Sequence, residues 1–173
     1  RVVGTDLSRR CIQHARRGVY GASAFRALGD ARRRRWFVER DGGLAVADEV
    51  RKMVHFSPLN LLDAERVALL GTSDAIFCRN VVIYLDDVAR RQVIETFHQA
   101  LTPGGLLLLG HSESLLHEQQ RSQRSSSPEG PLHADVASRF APVHLRGELV
   151  YQKLPRPSGP SPRGRLSPLR SGT

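Results

Sequence analysis

The chain is poor in the residues that build metal centres and covalent staples. Two cysteines, Cys11 and Cys78, among 173 residues exclude a disulfide-built mini-domain and a structural zinc site made of several thiolates. Histidines are scattered without metal-ligand spacing. The longest apolar runs, at 81–85 and 106–109, are strand-sized. Neither approaches the roughly 20 residues of a membrane-spanning helix, which argues against membrane insertion. No signal-peptide pattern is visible. G-x-G-x-x-G, P-loop, H-E-x-x-H and G-x-S-x-G patterns are all missing, so hydrolase, kinase and zinc-enzyme readings have no support. Lysine is scarce: of 26 cations all but Lys52 and Lys153 are Arg.

What is present suits a folded domain with a tail. Hydrophobic residues make up 40% and charged residues 25%, enough for a packed core. The net charge is +9, but five cations and no acid fall in residues 153–173. That leaves +4 on the remainder and no charge-based case for nucleic acid.

Residues 1–6 read as a short buried strand ending in an acid. A helix over 9–17 follows, with Ser8 as N-cap, Gly18 as stop, and Leu7 and Ile12 at the spacing of a hydrophobic staple. Residues 30–38 suggest a second helix capped by Asp30. The runs 44–46 and 53–56 suit a small antiparallel hairpin. Residues 73–79 have the continuous apolar centre of a central parallel strand. Residues 87–101 carry Val93, Ile94, Phe97 and Leu101 on one helical face, behind Asp86 and Asp87 and ahead of Thr102-Pro103-Gly104-Gly105. Residues 106–110 form another strand, completing a strand–helix–strand unit. Residues 121–131 are a Ser-rich, low-complexity insertion expected to be flexible. Order is expected to return at 140–153, with a turn at Arg146-Gly147. Residues 154–173 read as a disordered basic tail.

Several residues stand where an open α/β sheet places its ligands, at the carboxyl ends of strands. Asp6 could accept hydrogen bonds from both hydroxyls of a ribose, or help cap the next helix. Asn60 could meet an adenine edge while Leu61 and Leu62 pack on its face. Equally, Asn60 could be a turn residue and Asp63 a helix cap. Arg79 and Asn80 end the strand expected to be central. A buried Arg there needs an anionic partner, either a ligand or a nearby carboxylate. Tyr84 could aim its hydroxyl into the same cleft or serve as a buried aromatic anchor. His111-Ser112-Glu113-Ser114 leaves a functional role and a loop-stabilising hydrogen-bond cluster both open. Cys78 reads as an inert core thiol. Arg32–Arg35 could bind phosphate or be a solvated face.

Taken in order, these strings are more specific than any one of them. Asn60-Leu61-Leu62 is followed by Phe77-Cys78-Arg79-Asn80-Val81-Val82-Ile83-Tyr84, then Leu101-Thr102-Pro103-Gly104-Gly105, then Gly110-His111-Ser112-Glu113-Ser114. Together they closely resemble the CheR-type methyltransferases, which methylate glutamates on chemotaxis receptors with S-adenosylmethionine. Gly4-Thr5-Asp6, Gly18-Val19-Tyr20, Trp36-Phe37 and Val54-His55-Phe56 also fit. The resemblance runs from Arg1 to about Ser114 and resumes weakly at 140–153.

The resemblance implies a Rossmann-like α/β methyltransferase sheet of order 3-2-1-4-5-7-6, with a small antiparallel β-subdomain at about 37–56. It makes residues 1–153 a methyltransferase domain beginning at the family's second strand. The chain is then the carboxyl-terminal part of the enzyme, with strand 1 and the methionine-cradling loop expected before Arg1. Strands 2 and 4 are expected to lack the strand that joins them, with exposed ladder groups and apolar faces. By the same resemblance Asp6 would hold the cofactor ribose, and Asn60 and Leu61 would line the adenine side. Arg79 and Asn80 would line the cofactor and substrate cleft, and Tyr84 would border the methyl-transfer position.

The implied reaction is in-line displacement by a glutamate carboxylate on the sulfonium methyl, needing alignment rather than a base. The implied enzyme is cytoplasmic and monomeric and acts on methyl-accepting receptors. An inactive remnant or receptor-docking module is the competing reading, and a methyltransferase acting on RNA a third.

Overall fold

A computed structural model describes residues 1–40, 42–113, 115 and 138–155. The expected insertion at 121–131, and the tail from residue 156, lie outside the described residues. The chain divides into two compact units, Arg1–Gly71 and Thr72–Thr173.

In the first unit, β1 (Val2–Asp6) pairs in parallel with β5 (Val54–Pro58), Gly4 facing Phe56 and Asp6 facing Pro58. Between them in sequence runs α1 (Arg9–Arg17). Its N-cap Ser8 accepts from the Cys11 N–H, and Gly18 closes it at φ 64°. Both caps agree with the sequence reading. The staple does not form as expected: Ile12 is buried, but Leu7 is 74% exposed. The Arg16 guanidinium on α1 donates to the Phe56 carbonyl at 2.6 and 3.3 Å, strapping helix to strand.

The antiparallel subdomain differs from expectation in its pairing. Strand β4 (Gly43–Val46) lies between β2 (Val19–Tyr20) and β3 (Phe37–Arg40). Residues 53–56 do not join it, because Val54–Pro58 is taken into the parallel pair with β1. Helix α2 (Asp30–Trp36) ends where Phe37 turns extended, two residues earlier than the pattern suggested. Its N-cap is Gly29, so Asp30 is the first helical residue rather than the cap. Phe25 meets Phe37 edge to face at 4.8 Å. The short helices α3 (Asp48–Arg51) and α4 (Ala64–Ala68) flank β5, and the Asp63 carboxylate caps α4 through the Arg66 N–H.

The second unit is a four-stranded sheet of order β6-β7-β9-β8, from β6 (Ser73–Cys78), β7 (Leu101–Leu109), β8 (Phe140–Leu145) and β9 (Glu148–Lys153). The β6–β7 pair is parallel and joined by α5 (Asp87–Ala100), which gives the expected strand–helix–strand unit. Asp86 caps α5 through the Ala89 N–H, and Val93, Ile94 and Phe97 are buried. Leu101 is also buried, but as the first residue of β7 rather than the last of the helix. Along β7, Gly105, Leu107 and Leu109 are buried and alternate with half-buried neighbours, the period-two pattern of a strand with one well-covered face. The turn at Arg146-Gly147 has positive φ at both residues, as a tight hairpin between β8 and β9 requires.

The α/β class stands, and both partial strand orders agree with the expected sheet. The pair β5-β1 matches 3-2, and β6-β7-β9-β8 matches 4-5-7-6. Within the second unit the reading of residues 73–79 as a central strand fails, while the implication of the resemblance that this strand lacks a joining neighbour holds. Among the described residues β6 is an edge strand, hydrogen-bonded to β7 alone, and Phe77 is 72% exposed.

Candidate functional site

Two groups of residues carry the polar chemistry, one in each unit. In the first, β1 and β5 run parallel, so their carboxyl ends lie side by side. Asp6 ends β1, and the Leu59 N–H donates to its carbonyl at 3.0 Å, extending the ladder one step past β5. Asn60 follows directly. Both residues are exposed.

Their side chains are half-committed. The Ser8 N–H donates to Asp6 Oδ1 at 2.7 Å, and the Leu62 N–H donates to Asn60 Oδ1 at 3.0 Å. Each is an Asx turn that fixes the side chain's direction. Asp6 Oδ2 and Asn60 Nδ2 have no hydrogen bond among the described residues. The structural and functional readings of these residues are therefore compatible: one end of each side chain builds the turn, and the other is spare. Leu61 beside them is half-buried. An acceptor, a donor and an apolar surface at one strand end fit a nucleoside, with its diol, its base edge and its base face.

The second group follows β6. The chain passes from Cys78 through Arg79 and Asn80 into a single 3-10 turn, Val82–Tyr84, and then into α5. Asn80 adopts φ 58°, a left-handed conformation that asparagine tolerates better than most residues. Arg79 is exposed, which corrects the expectation of a buried guanidinium needing an anionic partner. Tyr84 is 80% exposed, so it is no buried aromatic anchor. Arg79 lies just past the edge strand β6, and Tyr84 ends the 3-10 turn that follows.

Glu113 organises this segment. Its side chain is nearly buried, at 6% exposure. Oε2 accepts from the N–H groups of Asn80 and Gly110, both at 2.7 Å. Oε1 accepts from Val81 at 2.7 Å and Ile83 at 3.3 Å. Burial pushes its carboxyl pKa up, but the four N–H donors of Asn80, Gly110, Val81 and Ile83 outweigh that, and the net direction is down. The Glu113 N–H in turn donates to the Gly110 carbonyl at 3.0 Å. Of the two readings left open for 111–114, the hydrogen-bond cluster is realised at Glu113. His111 stays exposed, 3.8 Å from the Glu148 carboxylate. Cys78 next to the turn is buried, and burial, helped by the Glu113 charge, raises its thiol to about 11. It is a protonated core residue at neutral pH, as expected.

Sequence reasoning missed the requirement at Gly110. A Cβ there would sit 2.5 Å from Glu113 Oε2 and 2.9 Å from Asn80 Oδ1. The signal was a glycine three residues before a glutamate, at the end of an apolar run. The four arginines Arg32–Arg35 are exposed on α2, with Arg35 stacked 4.4 Å over Trp36. Consecutive helical positions point in different directions, so they form no single patch. No described helix is long and apolar enough to cross a membrane.

Comparison with known proteins adds to this geometry. Residues 1–130 match the family model described as CheR methyltransferase, SAM binding domain. The chain is 38% identical over 115 residues to chemotaxis protein methyltransferase 2 of Vibrio cholerae, covering 66% of this chain and 40% of that protein. It is 33% identical over 177 residues to the probable biofilm formation methyltransferase WspC of Pseudomonas aeruginosa, covering 95% of this chain and 42% of that one. Among solved structures it is similar to the N-methyltransferase NodS of Bradyrhizobium japonicum in complex with S-adenosyl-L-homocysteine. That likeness has 16% identity and a TM-score of 0.46, over 88% of this chain and 66% of that one. The chain thus spans about two fifths of the length of the curated relatives it matches. With the matched region holding both groups of residues, the chain belongs to the CheR methyltransferase SAM-binding domain family.

Proposed function

We propose that this chain is part of an enzyme that methylates glutamate side chains of chemotaxis receptors, using S-adenosylmethionine and giving glutamate methyl esters. The observation that carries the reading lies inside the family match. At the paired ends of β1 and β5, Asp6 and Asn60 each keep one polar atom spare while the other is fixed by a turn. The names of the relatives, chemotaxis protein methyltransferase among them, support receptors as the substrate. A cytoplasmic, monomeric enzyme goes with this reading.

When bound, S-adenosylmethionine supplies an activated methyl group. Asp6 would accept from the ribose hydroxyls through Oδ2, its direction set by the Ser8 N–H. Asn60 would donate from Nδ2 to the adenine edge, and Leu61 would pack on the ring. Arg79 and Asn80 would contact cofactor and substrate, with the Arg79 guanidinium suited to orient a carboxylate. Tyr84 would border the reacting methyl. The acceptor needs no general base, because a glutamate with a reference pKa of about 4.3 is already ionised at neutral pH. These side chains would act by alignment.

The test is transfer of labelled methyl from S-adenosylmethionine to receptor glutamates, read as base-labile label released as methanol. Binding of S-adenosylhomocysteine without any base-labile label would favour a module that docks receptors but does not catalyse.

A further inference from the structure

We infer that Glu113 is a positioning residue: its carboxylate fixes the turn that presents Arg79, Asn80 and Tyr84, and it touches neither the methyl donor nor the acceptor itself. That these three residues meet ligand rests on the reading given under Proposed function. The clamp rests on geometry alone.

Each carboxylate oxygen of Glu113 accepts two backbone N–H bonds, so all four lone-pair directions are used. None is left to abstract a proton or bind a ligand. The four donors lie at two places, 80–83 and 110, just beyond the ends of the paired strands β6 and β7, where Cys78 faces Leu109. The carboxylate therefore ties the two strand ends together and closes the turn onto them. The Arg79, Asn80 and Tyr84 side chains have no hydrogen bond among the described residues. Their directions follow from the backbone that Glu113 holds, including the left-handed Asn80.

Only an ionised carboxylate meets this demand. Glutamine has the same shape, but its amide nitrogen would face one pair of N–H donors in either orientation. Two buried or part-buried donors would then be left without acceptors. Gly110 adds a second constraint, because any side chain there would displace Oε2.

The experiment compares the unmodified chain with Glu113→Gln and with Leu107→Ala, which weakens the same sheet from a position away from the turn. Amide exchange is read at residues 80, 81, 83 and 110, and S-adenosylhomocysteine affinity by calorimetry, at a temperature where all three are folded. In Glu113→Gln those four amides should lose protection by about a hundredfold. Its affinity should fall by about tenfold or more, the scale of one charge-assisted hydrogen bond. Leu107→Ala should bind within about twofold of the unmodified chain despite its lower stability. Unchanged exchange at the four amides in Glu113→Gln overturns the proposal, as does an equal affinity loss in Leu107→Ala. Should the unmodified chain not bind S-adenosylhomocysteine, the functional reading fails for this chain, and amide exchange alone decides the clamp. Should Glu113→Gln not fold, the unmodified chain still decides it. The Glu113 carboxyl carbon should titrate below the ordinary glutamate range in step with the amide shifts of Asn80 and Gly110. An ordinary, uncoupled titration overturns the proposal.

Discussion

Asn80 and Glu113 stand 33 residues apart in sequence, and the backbone N–H of Asn80 donates to the Glu113 carboxylate at 2.7 Å. With three further N–H donors on the same group, the charged form is favoured in the folded chain and its pKa is lowered from 4.5. A lowered folded-state value means that the unfolded chain takes up the proton first as pH falls. The stabilisation is therefore complete above about 4.5 and is lost as pH drops through the lower folded value. Urea melts should show no Glu113-dependent slope between about pH 6 and 8. Below 4.5 the stability difference between the unmodified chain and Glu113→Gln should shrink. A difference that stays constant down to pH 3 would sink this assignment.

Gly110→Ala tests the same clamp from the other side. Its Cβ would meet Glu113 Oε2 at 2.5 Å and Asn80 Oδ1 at 2.9 Å. Neither oxygen can yield cheaply: the first is held by two N–H groups, and the second belongs to a residue already at positive φ. A loss of about 1–3 kcal/mol is expected, the usual range for an overpacked site. Exchange should increase most at residues 80–83. A stability within about 0.5 kcal/mol of the unmodified chain would show that the turn is softer than its geometry implies.

The core beneath the turn has a separate signature. Leu107 is fully buried on β7, paired with Ile76 on one side and Tyr151 on the other. Leu107→Ala should cost about 2–5 kcal/mol through lost burial and the cavity left behind. Denaturant melts would read this as a lower midpoint with an unchanged slope. A cost under about 1 kcal/mol would mean the sheet collapses into the space, against the close packing seen here.

The sequence was most legible where local chemistry decides the structure. Ser8, Gly18, Asp63 and Asp86 mark helix ends as their side chains or backbones require. The run 87–101 shows its buried face through spacing alone. Pairing was less legible, because it depends on partners distant in sequence. Residues 53–56 alternate in a way that suits either a hairpin or a parallel strand, and only β1 decides between them. At β6 the local pattern and the order of motifs point different ways. An apolar run such as 75–78 says that a strand can be buried on both sides, not that both neighbours are present. The apolar run suggests a buried Arg79, whereas the motif order implies a missing neighbour, and Arg79 and Tyr84 stand exposed among the described residues. In the site, the half-used side chains of Asp6 and Asn60 could not be read from residue type, since turn and ligand roles call for the same residues.

That double use can be separated experimentally at Asp6 and Ser8. Asp6→Asn keeps an oxygen to accept the Ser8 N–H but removes the charge and the second acceptor. It should leave the midpoint of thermal unfolding within about 2 °C. S-adenosylhomocysteine affinity should weaken by about tenfold or more, since a hydrogen bond to a charged group contributes about 1.5–3 kcal/mol. Ser8→Ala should do the reverse. It removes the cap on the Cys11 N–H, at a cost of about 1 kcal/mol in stability. Affinity should be unchanged within about twofold, because Ser8 is not proposed to touch the nucleoside. If Asp6→Asn instead lowers stability and leaves affinity intact, Asp6 is a turn residue only, and the ribose contact must be sought elsewhere on this strand end.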